Sequence, residues 1–303
     1  MHLAAIRGPG NSAKPLGVFV REARAEWTST IEQADAIVVF GGDGTIHRHL
    51  RALIELDVPV LVVPSGSGND FARALGLRHV RDSLLAWHKF KAGEGNVRTI
   101  DLGVIHKTER LGPIPLGKAA SNQHFFCSVA GVGLDAKVTR RANSLPRWIR
   151  AHGGYGLSAP QEFFRFAPVP MSIRREGNLT TSFEPTTLVA VANTSVYGGG
   201  MKIAPRAQLQ DGKLDLCIVH GMSRFHLFCW FPTVYFGGHI RSSKVEYVQS
   251  PTARIETAYP LDVYADGEYV CQTPVEFSVA RKALAVIVPA PPVPYDTVPG
   301  GQC

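Results

Sequence analysis

The stretch AIVVFGGDGT at residues 36–45 decides the fold of the first part of this chain. Its apolar residues are typical of a buried strand, and they lead directly into a glycine-rich loop that carries an aspartate. One strand–helix unit later, PSGSGND at residues 64–70 repeats the arrangement. Because backbone amides and the helix dipole at such loops attract anions, the two loops together predict a phosphate-binding site.

Each loop carries a carboxylate, Asp43 in the first and Asp70 in the second. A carboxylate beside phosphates is explained if a divalent cation bridges the two, or if the carboxylate accepts a proton. A single glycine-rich turn is often only a tight turn, but two such turns in successive units, both with Asp, favour a functional site. The pair therefore predicts nucleotide phosphates, Mg²⁺ and phosphoryl transfer.

Composition narrows the choice of partners. The 303 residues carry a net charge of +7 and 45% of them are apolar, which favours a folded protein with anionic partners. No nucleic-acid-binding motif stands out, so nucleotides and anionic lipid surfaces are favoured over nucleic acid. The five cysteines have no metal-site spacing, and the N-terminal residues lack the apolar core of a signal peptide. We expect a cytoplasmic protein.

The alternation of strands and helices predicts a parallel α/β domain over residues 1–103. Its predicted strands are Leu3–Ile6, Leu16–Val20, Ala36–Phe40, Val58–Val63 and Val97–Leu102. Over residues 104–290, short strands separated by turns predict an antiparallel β-sandwich, interrupted by a helical stretch at 135–166. Residues 291–303 are rich in Pro and Gly and are expected to fray or to pack on the first domain.

Several motifs together resemble the catalytic-domain family of diacylglycerol kinases, which is related to sphingosine and ceramide kinases. They are FGGDGT at 40–45, PSGSGNDFARALG at 64–76, DLG at 101–103, FCSVAGVGLDA at 126–136, NTSVYGGGMKIAPRAQLQDGKLDL at 193–216 and DGE at 266–268. The resemblance implies an N-terminal α/β nucleotide-binding domain and a C-terminal β-sandwich. ATP and a lipid would meet in the cleft between them.

The resemblance also implies roles for individual residues. The ATP phosphates would be cradled by Gly41, Gly42, Asp43, Gly44, Thr45, Gly66, Ser67, Gly68 and Asn69. Mg²⁺ would be held, directly or through water, by Asp43, Asp70 and Asp101. A second, structural Mg²⁺ would bind the Asp211 carboxylate and the backbone carbonyls of Gln208 and Lys213, although the residues alone indicate only a turn there.

The general base is implied to lie in Asp266-Gly267-Glu268. Taken alone, an Asp-Gly pair between alternating apolar residues is typical of a β-hairpin tip. The resemblance favours Glu268 as the base that deprotonates the lipid hydroxyl, with Asp266 in support. Asp43 is the rival, since related sphingosine kinases are thought to use the carboxylate of this loop.

A basic run bears on the membrane. Residues 136–161 contain no acidic residue but carry Lys137, Arg140, Arg141, Arg147 and Arg150 around Trp148. Such a run is commonly a solvated helix face, but it also suits contact with anionic lipid headgroups. The expected partners are therefore a lipid substrate and, peripherally, an anionic membrane surface, with no nucleic acid and with a homodimer left open.

One segment departs from the family pattern. Members usually begin with a strand, an asparagine-proline-x-serine-glycine turn and a long helix, whereas this chain has IRGPGNS at 6–12 and then the predicted strand Leu16–Val20. We therefore expect the first helix to be absent or shortened, which leaves the nucleotide preference open. Two alternatives remain: a kinase of a soluble acceptor, since NAD kinases share the GGDGT loop, and a non-catalytic nucleotide- or lipid-binding protein.

Overall fold

The computed structural model describes residues 1–8, 13–107, 123–145, 154–178 and 181–289. Across these ranges, fifteen strands join in one continuous sheet that runs through both halves of the chain. The predicted tail at 291–303, the turn residues 9–12 and the basic residues Arg147 and Arg150 with Trp148 lie outside the described residues.

The first half is the predicted parallel α/β layer. Its strands β1 (His2–Arg7), β2 (Glu26–Trp27), β3 (Ala36–Gly41) and β4 (Val60–Pro64) stand in the order β2-β1-β3-β4, and every pair among them is parallel. The helices are α1 (Ala13–Ala23), α2 (Asp43–Leu56), α3 (Asp70–Ala74) and α4 (Val80–Lys91). Because Gly41 pairs with Pro64, the two glycine-rich loops leave the sheet side by side.

The prediction of a strand at Leu16–Val20 is wrong, because these residues lie in helix α1 of 11 residues. Two β-branched residues, Val18 and Val20, favoured a strand but are 37% and 40% exposed. The residues that α1 buries completely are Phe19 and Ala23, four positions apart, which is the period of a helix. The first helix is therefore present.

The second half is antiparallel, as expected for a sandwich. Its strands are β5 (Val97–Lys107), β6 (Gln123–Phe126), β7 (Val129–Gly133), β8 (Val169–Arg175), β9 (Glu184–Ala192), β10 (Leu214–His220), β11 (Val245–Ser250), β12 (Thr252–Thr257), β13 (Asp262–Ala265), β14 (Glu268–Gln272) and β15 (Val275–Ile287). The helices of this half are α5 (Leu134–Ser144), α6 (Gly154–Arg165) and α7 (Arg224–Trp230), followed by a 3-10 helix at Phe231–Phe236. Pro160 lies inside α6 rather than ending it.

Strands β5 and β15 connect the two halves. They pair antiparallel over nearly their whole length, and near its end β15 pairs in parallel with β4 through Val286 and Val60. The chain thus returns from the second half into the sheet of the first, and the boundary expected between residues 103 and 104 falls inside β5. This continuity fixes the DGE turn of the second half relative to the glycine-rich loops of the first.

Within the described ranges, no helix combines the length and the hydropathy that crossing a bilayer requires.

Candidate functional site

The two glycine-rich loops contact each other backbone to backbone. A Cβ atom placed on Gly66 would lie 2.5 Å from the Cα of Gly42, so neither position has room for a side chain. The amide of Ser65 also donates to the carbonyl of Gly41 at 3.1 Å. Glycine is required here because the loops touch, and the contact brings the N-termini of α2 and α3 together at the carboxyl edge of the sheet, where α/β proteins bind ligands.

Two carboxylates converge at this contact. Asp43 accepts hydrogen bonds from the amides of Asp70 (3.1 Å) and Phe71 (3.0 Å), so it caps the start of α3. A Cβ atom on Gly68 would lie 2.8 Å from Oδ2 of Asp43 and 3.8 Å from Oδ2 of Asp70. The carboxylates of Asp43 and Asp70 therefore both lie beside Gly68, and their binding of Mg²⁺ stays a prediction.

Asp70 links the two halves of the molecule. Its side chain is 6% exposed, and it accepts hydrogen bonds from Arg73 Nη1 (2.7 Å) and from the amide of Gly199 (2.9 Å). Gly199 belongs to the 193–201 segment that precedes β10, so the second half contacts the second glycine-rich loop directly. The Arg73 guanidinium supplies a positive charge to Asp70 that Asp43 lacks.

The pKa of Asp43 is raised from 3.8 to about 6. Burial in the surrounding protein is the largest cause, and the negative charge of Asp70 is the next, with Asp266 contributing in the same direction. The amide hydrogen bonds from Phe71 and Asp70 oppose the shift but do not cancel it. A nearby positive charge would therefore stabilise the ionised form of the Asp43 carboxylate.

Other residues of the predicted cradle shape the loops themselves. Thr45 is 6% exposed, and its Oγ1 occupies the space beside Gly41, where a Cβ atom would lie 2.5 Å away. Asn69, at φ +56°, closes its own loop by accepting from the Gly66 amide and donating to the Gly66 carbonyl. Gly66 and Ser67 are therefore the exposed residues of the second loop.

The DGE turn faces the first loop from the second half of the chain. Asp266, at φ +50°, has no exposed side-chain surface and accepts hydrogen bonds from the amides of Cys127 (2.9 Å) and Ser128 (2.8 Å). It therefore holds the turn against the segment between β6 and β7. Asp266 positions the turn, and its oxygens already have donors; a supporting role in catalysis stays a prediction.

Glu268 is the carboxylate of this turn that projects toward the first loop. It begins β14 and is exposed. A Cβ atom placed on Gly44 would lie 2.9 Å from Oε1 of Glu268, so the carboxylate lies against the backbone at the start of α2. The structure thus brings Asp43, Asp70 and Glu268 to one cleft, from two halves of the chain.

Sequence reasoning missed His47, which joins the two sides of the cleft. It follows Asp43 by one helical turn on α2, and its Nδ1 lies 3.1 Å from Oδ2 of Asp266. Burial lowers the pKa of His47, but the hydrogen bond and charge of Asp266, with the charge of Glu268, outweigh burial and raise it above 6.5. The i, i+4 spacing from Asp43 was the available signal, because it places both side chains on one face of α2.

We expect the His47–Asp266 pair to stabilise the fold in a pH-dependent way. Since the pKa of His47 is higher in the folded protein than in the unfolded chain, the stabilisation is complete below pH 6.5 and is lost as pH rises through the raised pKa. The difference in free energy of unfolding between wild type and His47→Gln should shrink over that range. Urea denaturation at a series of pH values measures it, with exposed His49→Gln as the control; a difference independent of pH would contradict the pairing.

Asp101 has other partners. Its Oδ2 accepts from the amide of Gly212 and its Oδ1 from the amide of Lys282, both at 2.7 Å. Lys282, at φ +50°, lies where the register of β15 against β5 is interrupted. Asp101 therefore connects this break in β15 to the 208–213 turn by hydrogen bonds. A role of Asp101 in holding Mg²⁺ stays a prediction.

The Asp211 turn forms as expected. Asp211 accepts from the amide of Lys213 (3.0 Å) and from Nε2 of Gln249 (3.2 Å), while the carbonyl of Leu209, next to Gln208, accepts from the amide of Asp101. In the part of the chain that the structure describes, no group of three or more His, Cys, Asp or Glu side chains is arranged to hold a metal. The structural Mg²⁺ at this turn, with its two backbone carbonyls, stays a prediction.

Comparison with known proteins agrees with this geometry. Residues 11–105 match the profile of the diacylglycerol kinase catalytic domain, and residues 128–288 match that of the YegS C-terminal NAD kinase beta sandwich-like domain. A diacylglycerol kinase of Mycobacterium tuberculosis is 33% identical over 255 residues, which cover 84% of this chain and 77% of the relative. A diacylglycerol kinase of Bacillus subtilis is 28% identical over 263 residues, covering 86% and 80%.

A solved structure agrees on the fold. A crystal structure of a Bacillus anthracis strain Sterne protein has a TM-score of 0.70 to this chain at 20% identity, covering 95% of this chain and 96% of the other. Together with the two profile matches, it confirms the predicted α/β domain followed by a β-sandwich domain. The chain therefore belongs to the diacylglycerol kinase family and is a lipid kinase.

Proposed function

We propose that this lipid kinase transfers the γ-phosphoryl group of ATP to a hydroxyl of a diacylglycerol- or sphingoid-type lipid, with Mg²⁺ and a carboxylate base. The observation that carries the proposal is the cleft where Asp43 and Asp70 converge on Gly68 while Glu268 lies against Gly44. The helix N-termini would bind the phosphates, and the facing carboxylate would accept the proton.

The carboxylate pair fits a magnesium ion. Burial and the charge of Asp70 raise the pKa of Asp43 to about 6, so a cation between the two would relieve their repulsion. Mg²⁺ is usually bound by one or two carboxylates together with substrate phosphates, which is the donor set that this cleft offers. When bound, the ion would neutralise charge on the transferred phosphoryl group.

The hydrogen-bond pattern supports Glu268 as the base. The Asp266 carboxylate already accepts from backbone amides and from His47, and Asp43 accepts from two amides at the start of α3. Glu268 is the exposed carboxylate in the cleft, and it projects from the half of the molecule opposite the phosphate loops. A hydroxyl placed between Glu268 and the loops could lose its proton as it attacks the phosphorus atom.

A lipid acceptor is supported by an apolar cavity in the second half. Side chains from α5, α6 and α7 line it, among them Val138, Phe163, Leu227 and Trp230. Phe163 lines this cavity, while Phe166 is 4% exposed and packs in the core. The cavity holds about 20 Å³, so an acyl chain would require the helices to move apart.

A labelling experiment tests the proposed function. The purified protein is incubated with γ-labelled ATP, with and without Mg²⁺, and with diacylglycerol, sphingosine or NAD as acceptor, and the products are identified by mass. We expect a labelled lipid phosphate that requires Mg²⁺. Labelling of NAD alone would support the soluble-acceptor alternative, and no labelled acceptor in a total lipid extract would support the non-catalytic one.

A further inference from the structure

Large apolar side chains are exposed on three successive helical elements of the second half. Phe164 of α6 is 57% exposed, Phe225 and Phe228 of α7 are 77% and 49% exposed, and Phe236 at the end of the following 3-10 helix is 84% exposed. The rings of Phe164 and Phe228 lie 6.3 Å apart between centroids. We call these four residues the aromatic face.

The fold does not need these side chains at the surface. Helix α7 already buries an inner face, on which Leu227 is 3% and Trp230 is 6% exposed. Phe225 and Phe228 are three positions apart and therefore share the opposite side of the helix. Exposing a phenylalanine ring to water costs free energy, so several exposed rings on one surface indicate a site of contact with a partner or a membrane.

The charge of the chain around α7 and the 3-10 helix indicates what covers this face. From Leu216 to Val245 the chain has no Asp or Glu but carries Arg224, Arg241 and Lys244, all exposed. Arg165, also exposed, directly follows Phe164. None of these four cations forms an ion pair with another described residue. Their positive charge is complementary to an anionic surface.

In the basic run at 136–161, the described cations have partners within the protein, although Arg140 stays 73% exposed. Arg140 lies 3.5 Å from Asp262, Arg141 lies 3.4 Å from Glu162, and Lys137 stands over the ring of Phe166 at 5.0 Å.

We propose that the aromatic face, with Arg165, Arg224, Arg241 and Lys244, is the surface that docks on an anionic lipid bilayer. This inference rests on the proposed function in one respect: a kinase of membrane lipids must meet its substrate at a bilayer. The phenylalanine rings enter the interface between headgroups and acyl chains, and the basic side chains bind lipid phosphates. The inner sides of the same helices line the apolar cavity, so docking brings that cavity to the membrane.

Vesicle flotation of the full chain, without ATP or lipid substrate, tests the surface. The vesicles are phosphatidylcholine alone or phosphatidylcholine with phosphatidylglycerol. We expect binding to the anionic vesicles, and a loss of at least about tenfold in partition for Phe225→Ser combined with Phe236→Ser. The matched control is Phe183→Ser, which changes a phenylalanine that is 48% exposed elsewhere and should bind as wild type does.

A second variant tests the charge. Arg224→Gln, Arg241→Gln and Lys244→Gln combined should lower partition into anionic vesicles by about 10- to 100-fold and leave binding to phosphatidylcholine unchanged. Wild-type partition in either multiple variant would overturn the proposal, as would an equal loss in the Phe183 control. A wild-type dimer that the aromatic variant dissociates, without vesicle binding, would assign the face to a second copy of the chain.

Kinase assays separate this inference from the proposed function. Both multiple variants should keep wild-type turnover on a short-chain, water-soluble diacylglycerol and lose it on the same lipid embedded in vesicles. If no acceptor is labelled but the flotation results hold, the proposed function fails and the docking surface stands. If labelling succeeds and flotation does not depend on the face, the docking surface fails alone.

Discussion

Replacing Glu268 with Gln should lower kcat on a lipid acceptor by about 10²–10⁴-fold, the usual contribution of a general base. The amide keeps the size and hydrogen-bonding reach of the side chain but cannot take the proton of the attacking hydroxyl. Because Glu268 is exposed and lies on the half of the molecule opposite the phosphate loops, the KM for ATP should stay near the wild-type value. Steady-state kinetics with ATP and lipid varied in turn measures both.

Two further variants make this result specific. Glu55→Gln changes an exposed glutamate at the far end of α2 and should leave the kinetics unchanged. Asp266→Asn should mainly lower the melting temperature, because one of its two oxygens would become an amide group facing backbone donors, at a cost of about 1–3 kcal/mol. If Glu268→Gln keeps its kcat within about threefold of wild type, the base is not Glu268 and Asp43 becomes the leading candidate.

Sequence patterns predicted the parts of the fold that rest on local periodicity. The apolar run at 36–40 became β3, and α2 buries Ile46, Leu50 and Leu53 at helical spacing. The strand at Leu16–Val20 failed because β propensity is a weak preference that packing overrides; Phe19 and Ala23 bury a helical face instead. The return of β15 into the first sheet depends on a pairing with β4 across more than half of the chain, which no local pattern contains.

In the candidate site, too, the sequence predicted contacts that follow from local patterns but not those that depend on long-range packing. Asp43 and Asp70 could be brought together from the sequence, since successive parallel strands end at one edge of the sheet. The pairing of His47 with Asp266 spans 219 positions and could not be read from either neighbourhood. The DGE motif identified two carboxylates, but only packing separates the buried Asp266, which holds the turn, from the exposed Glu268, which faces the cleft.

Asp43→Asn is the second change expected to have a large effect. It removes the charge nearest the contact of the two phosphate loops, and we expect kcat/KM to fall by about 10²–10³-fold, the scale of losing one electrostatic contact to a transferred group. The variant should also respond less to added Mg²⁺ than wild type. Asp57→Asn, at the other end of α2 with φ +49°, which asparagine tolerates, is the matched control.

The raised pKa of Asp43 gives this prediction a readout that does not depend on activity. Since the pKa rises from 3.8 in the unfolded chain to about 6 in the fold, ionised Asp43 destabilises the metal-free protein, and the effect develops as pH rises from 4 to 7. The difference in free energy of unfolding between Asp43→Asn and wild type should therefore shift in favour of the variant by up to about 3 kcal/mol over that range. This shift adds to a pH-independent cost of about 1–3 kcal/mol, because the amide group of Asn replaces one of the two oxygens that accept from the amides of Asp70 and Phe71. Saturating Mg²⁺ should reduce the shift, because a cation that binds the ionised carboxylate favours its charged form in the fold. If this pH-dependent shift is not seen in the absence of Mg²⁺, Asp43 and Asp70 do not repel each other in the folded protein. The proposal of a metal ion between Asp43 and Asp70 would then be contradicted as well.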